Sequence, residues 1–200
     1  KFEKKGKTTS RKKLAATGQD MDFVERCSAC HLNYEGSGWK GTKEPYTPFT
    51  PDVHTDYRGE LWTTWKKDEF PMNLEFNHDK VSTSRKNVIR GIHGDNKSWK
   101  LVTCLYGELY FVVVDNRKDS ISYLEWDCAI LNDKNRKLVL IPPGFGNSFC
   151  VLSDYSIFMY KWSYKGKYPD VKDQFTLKWN DPKIGINWPI DNPILQSRDK

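Results

Sequence analysis

From about residue 53 onward, short apolar, β-branched and aromatic runs alternate with turn signals, and no long amphipathic helix pattern interrupts them. The runs are GELWTTW, NVIRGIH, WKLVTCLY, ELYFVVVD, SYLEWDCAIL, KLVLIP, SFCVLS, SIFMYKWS and QFTLKW. Between them stand GD, YG, DNRKDS, NDKNR, PPGFGN and SD. β-Branched and aromatic side chains suit a pleated, half-buried surface, whereas Gly, Pro, Asn and Asp end it. A turn about every ten residues leads to an all-β antiparallel sandwich or barrel. FVVVD and LVLIP are apolar at successive positions, so the sheets that carry them are expected to be covered on both faces.

The two ends read differently. Residues 1–50 are expected to form an irregular N-terminal arm and residues 51–200 the barrel domain. KFEKKGKTTSRKKLAATGQD is basic and short of core residues. GSGWKGTKEPYTPFTP places Pro45, Pro48 and Pro51 where a central strand does not tolerate them. The C-terminal NDPKIGINWPIDNPILQSRDK, with Pro182, Pro189 and Pro193, is expected to wrap the barrel as ordered loop, with Trp188 and Ile190 packing down.

Charge and cysteine usage exclude some classes of function. The net charge of +6 is spread along the chain, with no arginine-rich block beyond the first residues, so nucleic acid is not an expected partner. No apolar run reaches the ~18 residues a membrane span needs, and no apolar segment follows the charged N-terminus as in a secretory leader. Five cysteines lack disulfide-framework spacing, and Cys104, Cys128 and Cys150 sit inside apolar runs, where a free thiol acts as a small hydrophobe. A reducing cytoplasm is the expected location.

CSACH, Cys27 to His31, fits the C-x-x-C-H pattern of covalent haem attachment. A c-type cytochrome needs export, an axial partner and a helical wrap, and none of these is signalled. A zinc site needs further ligands, and His54 is the nearest candidate. The motif is therefore read as incidental, with a structural metal as the alternative.

The chemistry is sought in NVIRGIHGDNKSWKLV, which sets Arg90, His93 and Lys100 among strand-forming residues. Polar groups facing inward need a partner or a purpose. PPGFGN between two strands suits a cupin-type jelly roll, but His93 stands alone and Asn147 falls where a metal-binding cupin has a further His, so no metal is expected. Acid–base chemistry remains. Lys100 points away from its neighbours Trp99 and Leu101, Tyr160 lies in a late strand, and Asp181 follows Trp179 in KWNDP. A His oriented by a carboxylate, with a cation and a phenol nearby, suits proton abstraction next to a carbonyl. Each residue also has a plain reading: surface lysine, core tyrosine, turn aspartate, solvated arginines.

The ordered set DYRGELW, FNHDKVSTS, NVIRGIH, WKLV, GELYFVVVDNRKDS, LIPPGFGNSFCVLS, MYKWS, WNDPKIGINWP and NPILQSRDK resembles the dTDP-4-dehydrorhamnose 3,5-epimerase family. RGIHGDNKSWKLV, PPGFGN and YKGKYPDVKDQFTLKWND are closest to its GDP-linked 4-keto-heptose and 6-deoxyheptose branch of bacterial capsule synthesis. The resemblance implies a cupin-type jelly roll, no cofactor, a homodimer, and inversion at C3, C5 or both of a nucleotide-activated 4-keto sugar. It implies His93 as base, Asp181 as its carboxylate, Lys100 at the developing enolate and Tyr160 as the acid on the opposite ring face. Arg58, Glu60, Arg90, His78, Lys80 and Asn147 are the implied substrate contacts. The chain departs from the family at His78 and Lys80, which replace a Q-x-N pair, and at Ser148 and Phe149. It departs again at Gly166, which stands where a second tyrosine is usual, with Tyr164 and Tyr168 on either side. A nucleotide-sugar 3,4-ketoisomerase and a non-catalytic sugar-nucleotide binder stay open as alternatives.

Overall fold

A computed structural model describes residues 47–67 and 73–200, so CSACH and most of the N-terminal arm lie outside the described residues. Twelve strands are described: β1 (Thr47–Phe49), β2 (Val53–Asp56), β3 (Gly59–Trp62), β4 (His78–Arg85), β5 (Ile89–Gly94), β6 (Trp99–Tyr106), β7 (Glu108–Asp115), β8 (Trp126–Asn132), β9 (Leu138–Ile141), β10 (Phe145–Val151), β11 (Tyr155–Ser163) and β12 (Phe175–Thr176). Two five-stranded antiparallel sheets, ordered β1-β9-β6-β11-β4 and β12-β5-β10-β7-β8, face each other, and β2–β3 forms a separate hairpin. This is the all-β antiparallel sandwich that the strand pattern implies, in the jelly-roll form that the resemblance implies.

The core lies between the sheets. Leu109, Phe111 and Val113 of β7, Phe145, Phe149 and Val151 of β10, Val102 of β6 and Phe158 of β11 meet there. The alternate residues of β7, Tyr110, Val112 and Val114, are equally buried on the outer face. What covers them is the C-terminal wrap: Ile184, Ile186, Trp188, Ile190 and Leu195 pack onto that face. Trp188 Nε1 donates to the Trp179 carbonyl at 2.7 Å, and its indole meets the Tyr110 ring edge-on at 5.8 Å. The unbroken apolar run of β7 therefore reports two coverings, a facing sheet inside and a proline-rich strap outside.

Three boundaries differ from the strand pattern. β1 lies within the stretch expected to be irregular; as the edge strand beside β9 it pairs Pro48 with Val139, and an edge leaves room for a residue without an N–H. β10 begins at Phe145 and takes in the Phe-Gly-Asn that read as a turn. β4 carried only Val81 as an apolar signal, because it is an edge strand whose outer face meets water and whose other face, His78, Lys80, Ser82 and Ser84, is polar. That polar inward face is the first sign of a lumen in place of packed core.

Candidate active site

The decisive local feature is one extra residue in β5. Against β10, Asn147 pairs with His93 and Phe149 with Arg90, so two steps along β10 match three along β5. In an unbroken strand, Arg90 and His93 would point to opposite faces; the bulge turns both toward the lumen. Gly91 makes it feasible: its φ is +116°, and a Cβ there would lie 2.5 Å from the Asn147 carbonyl oxygen. Ile89 and Ile92, on the other face, remain buried under the C-terminal wrap.

His93 Nε2 lies 2.6 Å from Oδ1 of Asp199, a fully buried carboxylate on the short 3-10 turn Ser197–Asp199. The Gly91 N–H donates to the other oxygen, Oδ2, at 3.4 Å, and Gln196 Nε2 donates to Oδ1 at 3.4 Å. The wrap is pinned beside β5 by Ile89 N–H to the Ile194 carbonyl (3.1 Å) and Ile194 N–H to the Asn87 carbonyl (2.8 Å). Burial by itself raises the Asp199 carboxyl, but the hydrogen bond and charge of His93, together with the hydrogen bonds from Gln196 and the Gly91 N–H, outweigh it and hold the group below its ordinary value. An ionised carboxylate bound to one ring nitrogen leaves the other as the basic one.

Asp181, the expected partner of His93, is elsewhere. Its Oδ1 accepts from the Lys183 N–H at 2.9 Å, and its carbonyl accepts from Ile184 and Gly185. It shapes a turn of the wrap, as a residue before proline commonly does. The signal for Asp199 was present in NPILQSRDK, but nothing in the residue pattern says which of the three C-terminal aspartates, Asp181, Asp191 or Asp199, reaches β5. That depends on the path of the wrap.

The facing sheet supplies the other groups. Lys100 is buried, its Nζ 3.5 Å from Asp95 Oδ2 and 4.5 Å from the centre of the Trp162 ring. Asp95 Oδ1 is held by the Lys97 and Ser98 N–H groups at 2.9 and 2.7 Å. Burial lowers the Lys100 ammonium to about 8, against the opposing pull of Asp95. Tyr160 packs edge-on against Phe158 at 4.7 Å; burial pushes its phenol up, the Arg90 guanidinium opposes this and Tyr168 adds to it. Arg90 spans the gap between the sheets, its Nε donating to Ser84 Oγ at 2.8 Å and Nη2 to the Thr83 carbonyl at 3.2 Å. Asn147 is buried beside His93 on the lumen face of β10.

His78 and Lys80 line the same wall, with an aromatic cluster that the strand pattern did not single out. His78 Nδ1 is 3.3 Å from Tyr164 Oη, and its ring lies 4.6 Å from that of Tyr168. Lys80 Nζ donates to Tyr168 Oη at 2.5 Å. Arg58 and Glu60 are not brought to this lumen. Both lie on the exposed β2–β3 hairpin, Arg58 bound to Asp56 and Glu60 to Arg136. Arg136 sits beyond the Leu138 end of β9, whereas Lys100 pairs with Ile141 at the other end.

Two outcomes follow from this geometry. Asp199→Asn is expected to lower the rate of proton exchange at the substrate by roughly 100-fold or more, while Asp181→Asn leaves it little changed; parallel rates in heavy water check this. Lys100 is an ammonium below its pKa and neutral above it, so kcat/KM is expected to fall above pH of about 8. A pH–rate profile measures that limb, which should be missing when Lys100→Arg keeps the charge.

The comparisons with known proteins bear on the family and the fold. Residues 44–200 match the family model described as dTDP-4-dehydrorhamnose 3,5-epimerase. The chain is 36% identical over 157 residues to dTDP-4-dehydrorhamnose 3,5-epimerase of Salmonella typhimurium, covering 74% of this chain and 84% of that protein. The crystal structure of dTDP-4-dehydrorhamnose 3,5-epimerase from Bacillus anthracis, with TDP and PPi bound, superposes with a TM-score of 0.72 at 32% identity, covering 77% of this chain and 90% of that one. A relative of another kind is cytochrome c-554 of Nitrosomonas europaea, 58% identical over 78 residues, or 39% of this chain and 31% of the cytochrome. A jelly roll with this lumen, matched by family model, sequence and structure over about three quarters of its length, belongs to the dTDP-4-dehydrorhamnose 3,5-epimerase family of nucleotide-sugar epimerases.

Proposed function

We propose that the chain inverts C3, C5 or both of a nucleotide-diphosphate 4-keto sugar by proton abstraction beside the ketone. The single observation that supports this most is the His93–Asp199 pair at 2.6 Å on a lumen that also holds a buried ammonium and a phenol of raised pKa. The ketone acidifies the adjacent C–H, yet a neutral imidazole is too weak a base to take that proton unaided. Lys100 offsets the charge that develops on the enolate oxygen, which counts for far more in a dry pocket than in water. Tyr160 then protonates the carbanion from the opposite face, and the centre is inverted. The same chemistry needs no redox change at the sugar.

For the nucleotide, the names of the relatives favour dTDP. The GDP-linked heptose substrate expected from RGIHGDNKSWKLV remains a finer alternative, supported by His78 and Lys80 on the wall. Arg58 and Glu60 fit a homodimer in which the hairpin of one copy reaches the lumen of the other; Tyr57 and Leu61 on that hairpin are 96% and 72% exposed. Incubation of the 4-keto sugar nucleotide in heavy water is expected to give deuterium next to the ketone and an inverted product by NMR, and His93→Asn to abolish both. Carbonyl migration instead of inversion identifies a 3,4-ketoisomerase, and binding without exchange identifies a non-catalytic binder. Titration with dTDP and with GDP separates the two nucleotides.

A second reading concerns the CSACH motif, and it is prompted by the similarity of 78 residues of this chain to a c-type cytochrome. Cys27 and Cys30 offer two thiols and His31 an imidazole in the order that covalent haem attachment requires. In this reading Cys27, Cys30 and His31 would hold a haem, which would supply one-electron chemistry. Protein produced with a haem-attachment system is expected to retain haem after acid–acetone extraction, and Cys27→Ala with Cys30→Ala to lose it; extraction that strips all haem from the unaltered protein refutes the reading.

A further inference from the structure

Lys100 is an ammonium in surroundings that disfavour one. Its side chain is 3% exposed, and its cross-strand partners, Trp162 of β11 and Ile141 of β9, carry no charge. The Trp162 ring, 4.5 Å from Nζ, attracts a cation without neutralising it. A buried charge needs a compensating one.

Asp95 supplies it from the loop between β5 and β6, and its two carboxylate oxygens have different tasks. Oδ1 accepts from the Lys97 and Ser98 N–H groups at 2.9 and 2.7 Å, which closes the turn. Oδ2 is buried without a hydrogen-bond partner and lies 3.5 Å from Lys100 Nζ, on a side chain only 1% exposed. The turn needs the first oxygen alone, and a neutral Asn provides it as well. The second oxygen is accounted for by the ammonium. The loop is fixed in advance, because the Asp95 carbonyl accepts from the Gly144 N–H at 2.8 Å and so ties it to the start of β10. Other titratable groups lie around the same end of the lumen. His78 and Tyr168 stand across the Trp162 ring, Tyr160 is two residues away on β11, and His93 with Asp199 lies on the facing sheet. Against burial, Asp95 alone acts on the Lys100 charge.

We propose, on the epimerase reading above, that Asp95 is a positioning residue that holds the Lys100 ammonium charged and aimed at the substrate oxygen on which negative charge develops. An ammonium has three N–H donors; Asp95 and the Trp162 face occupy two directions and leave one for that oxygen. Asp95 itself touches no reacting atom and acts through Lys100.

Asp95→Asn separates the two tasks, since it keeps an oxygen for the turn and removes the charge. Burial then acts on Lys100 unopposed, so the basic limb of kcat/KM is expected to move from about pH 8 to lower pH, by about one to two units. Near pH 8 that lowers kcat/KM by about 5- to 50-fold, and the deficit shrinks as the pH falls. Asp95→Ser, which also keeps a turn oxygen without charge, is expected to behave alike. NMR titration of isotope-labelled lysine side chains should show the same displacement for Lys100, a readout independent of turnover. In a Lys100→Arg background, whose guanidinium stays charged, Asp95→Asn should move no limb. A limb and a Lys100 titration that stay in place in Asp95→Asn, or a loss of rate equal at every pH, overturn the role of Asp95 and leave the epimerase intact. Unaltered protein that catalyses no proton exchange removes the epimerase, and the task assigned to Lys100 and Asp95 with it.

Discussion

The bulge in β5 is the constraint on which the site depends. A strand in register would send Arg90 and His93 to opposite sides, one into the lumen and one under the C-terminal wrap. One extra residue, with glycine at the point of closest approach to β10, puts both on the lumen side and keeps Ile89 and Ile92 in the outer core. It also places the Gly91 N–H where it donates to Asp199. The same distortion therefore positions the His93 imidazole and helps to hold the carboxylate bound to it.

Electrostatics divides the lumen into two halves with opposite tasks. On the sheet of β5 and β10, a carboxylate held below its ordinary pKa binds one ring nitrogen of an imidazole. On the sheet of β6, β11 and β4, burial lowers an ammonium and raises a phenol, so one group carries positive charge near neutral pH and the other holds its proton. Environments that drive titratable groups apart in this way are how one pocket runs acid and base chemistry at a single pH. The aromatic rings of Trp162, Tyr168 and His78 link the second half into a continuous wall beneath Lys80 and Lys100.

The C-terminal wrap has two roles that are separable in principle. Its apolar residues cover the outer face of β5, β7 and β10, and its last turn delivers Asp199 to His93. Because it is tied to β5 by backbone hydrogen bonds around Ile194, packing of the wrap and alignment of the dyad are coupled.

Much of the barrel was legible from residues alone, since period-two alternation, β-branched runs and turn residues act locally; β6 and β7 span the segments the pattern marked. His93, Lys100 and Tyr160 could be picked out because polar residues in strand-forming runs need a reason to be there. β4 was not legible, because an edge strand lining a polar lumen has no apolar face to announce it. The choice between Asp181 and Asp199 was not legible either, nor was the orientation of His93 relative to Arg90. Those rest on the route of the wrap and on a one-residue register shift, and both are settled by contacts between segments up to about a hundred residues apart, 106 for His93 and Asp199. Local chemistry determined that this chain makes strands and carries an imidazole, an ammonium and a phenol; only the folded arrangement decided which carboxylate binds the imidazole and which face each group shares.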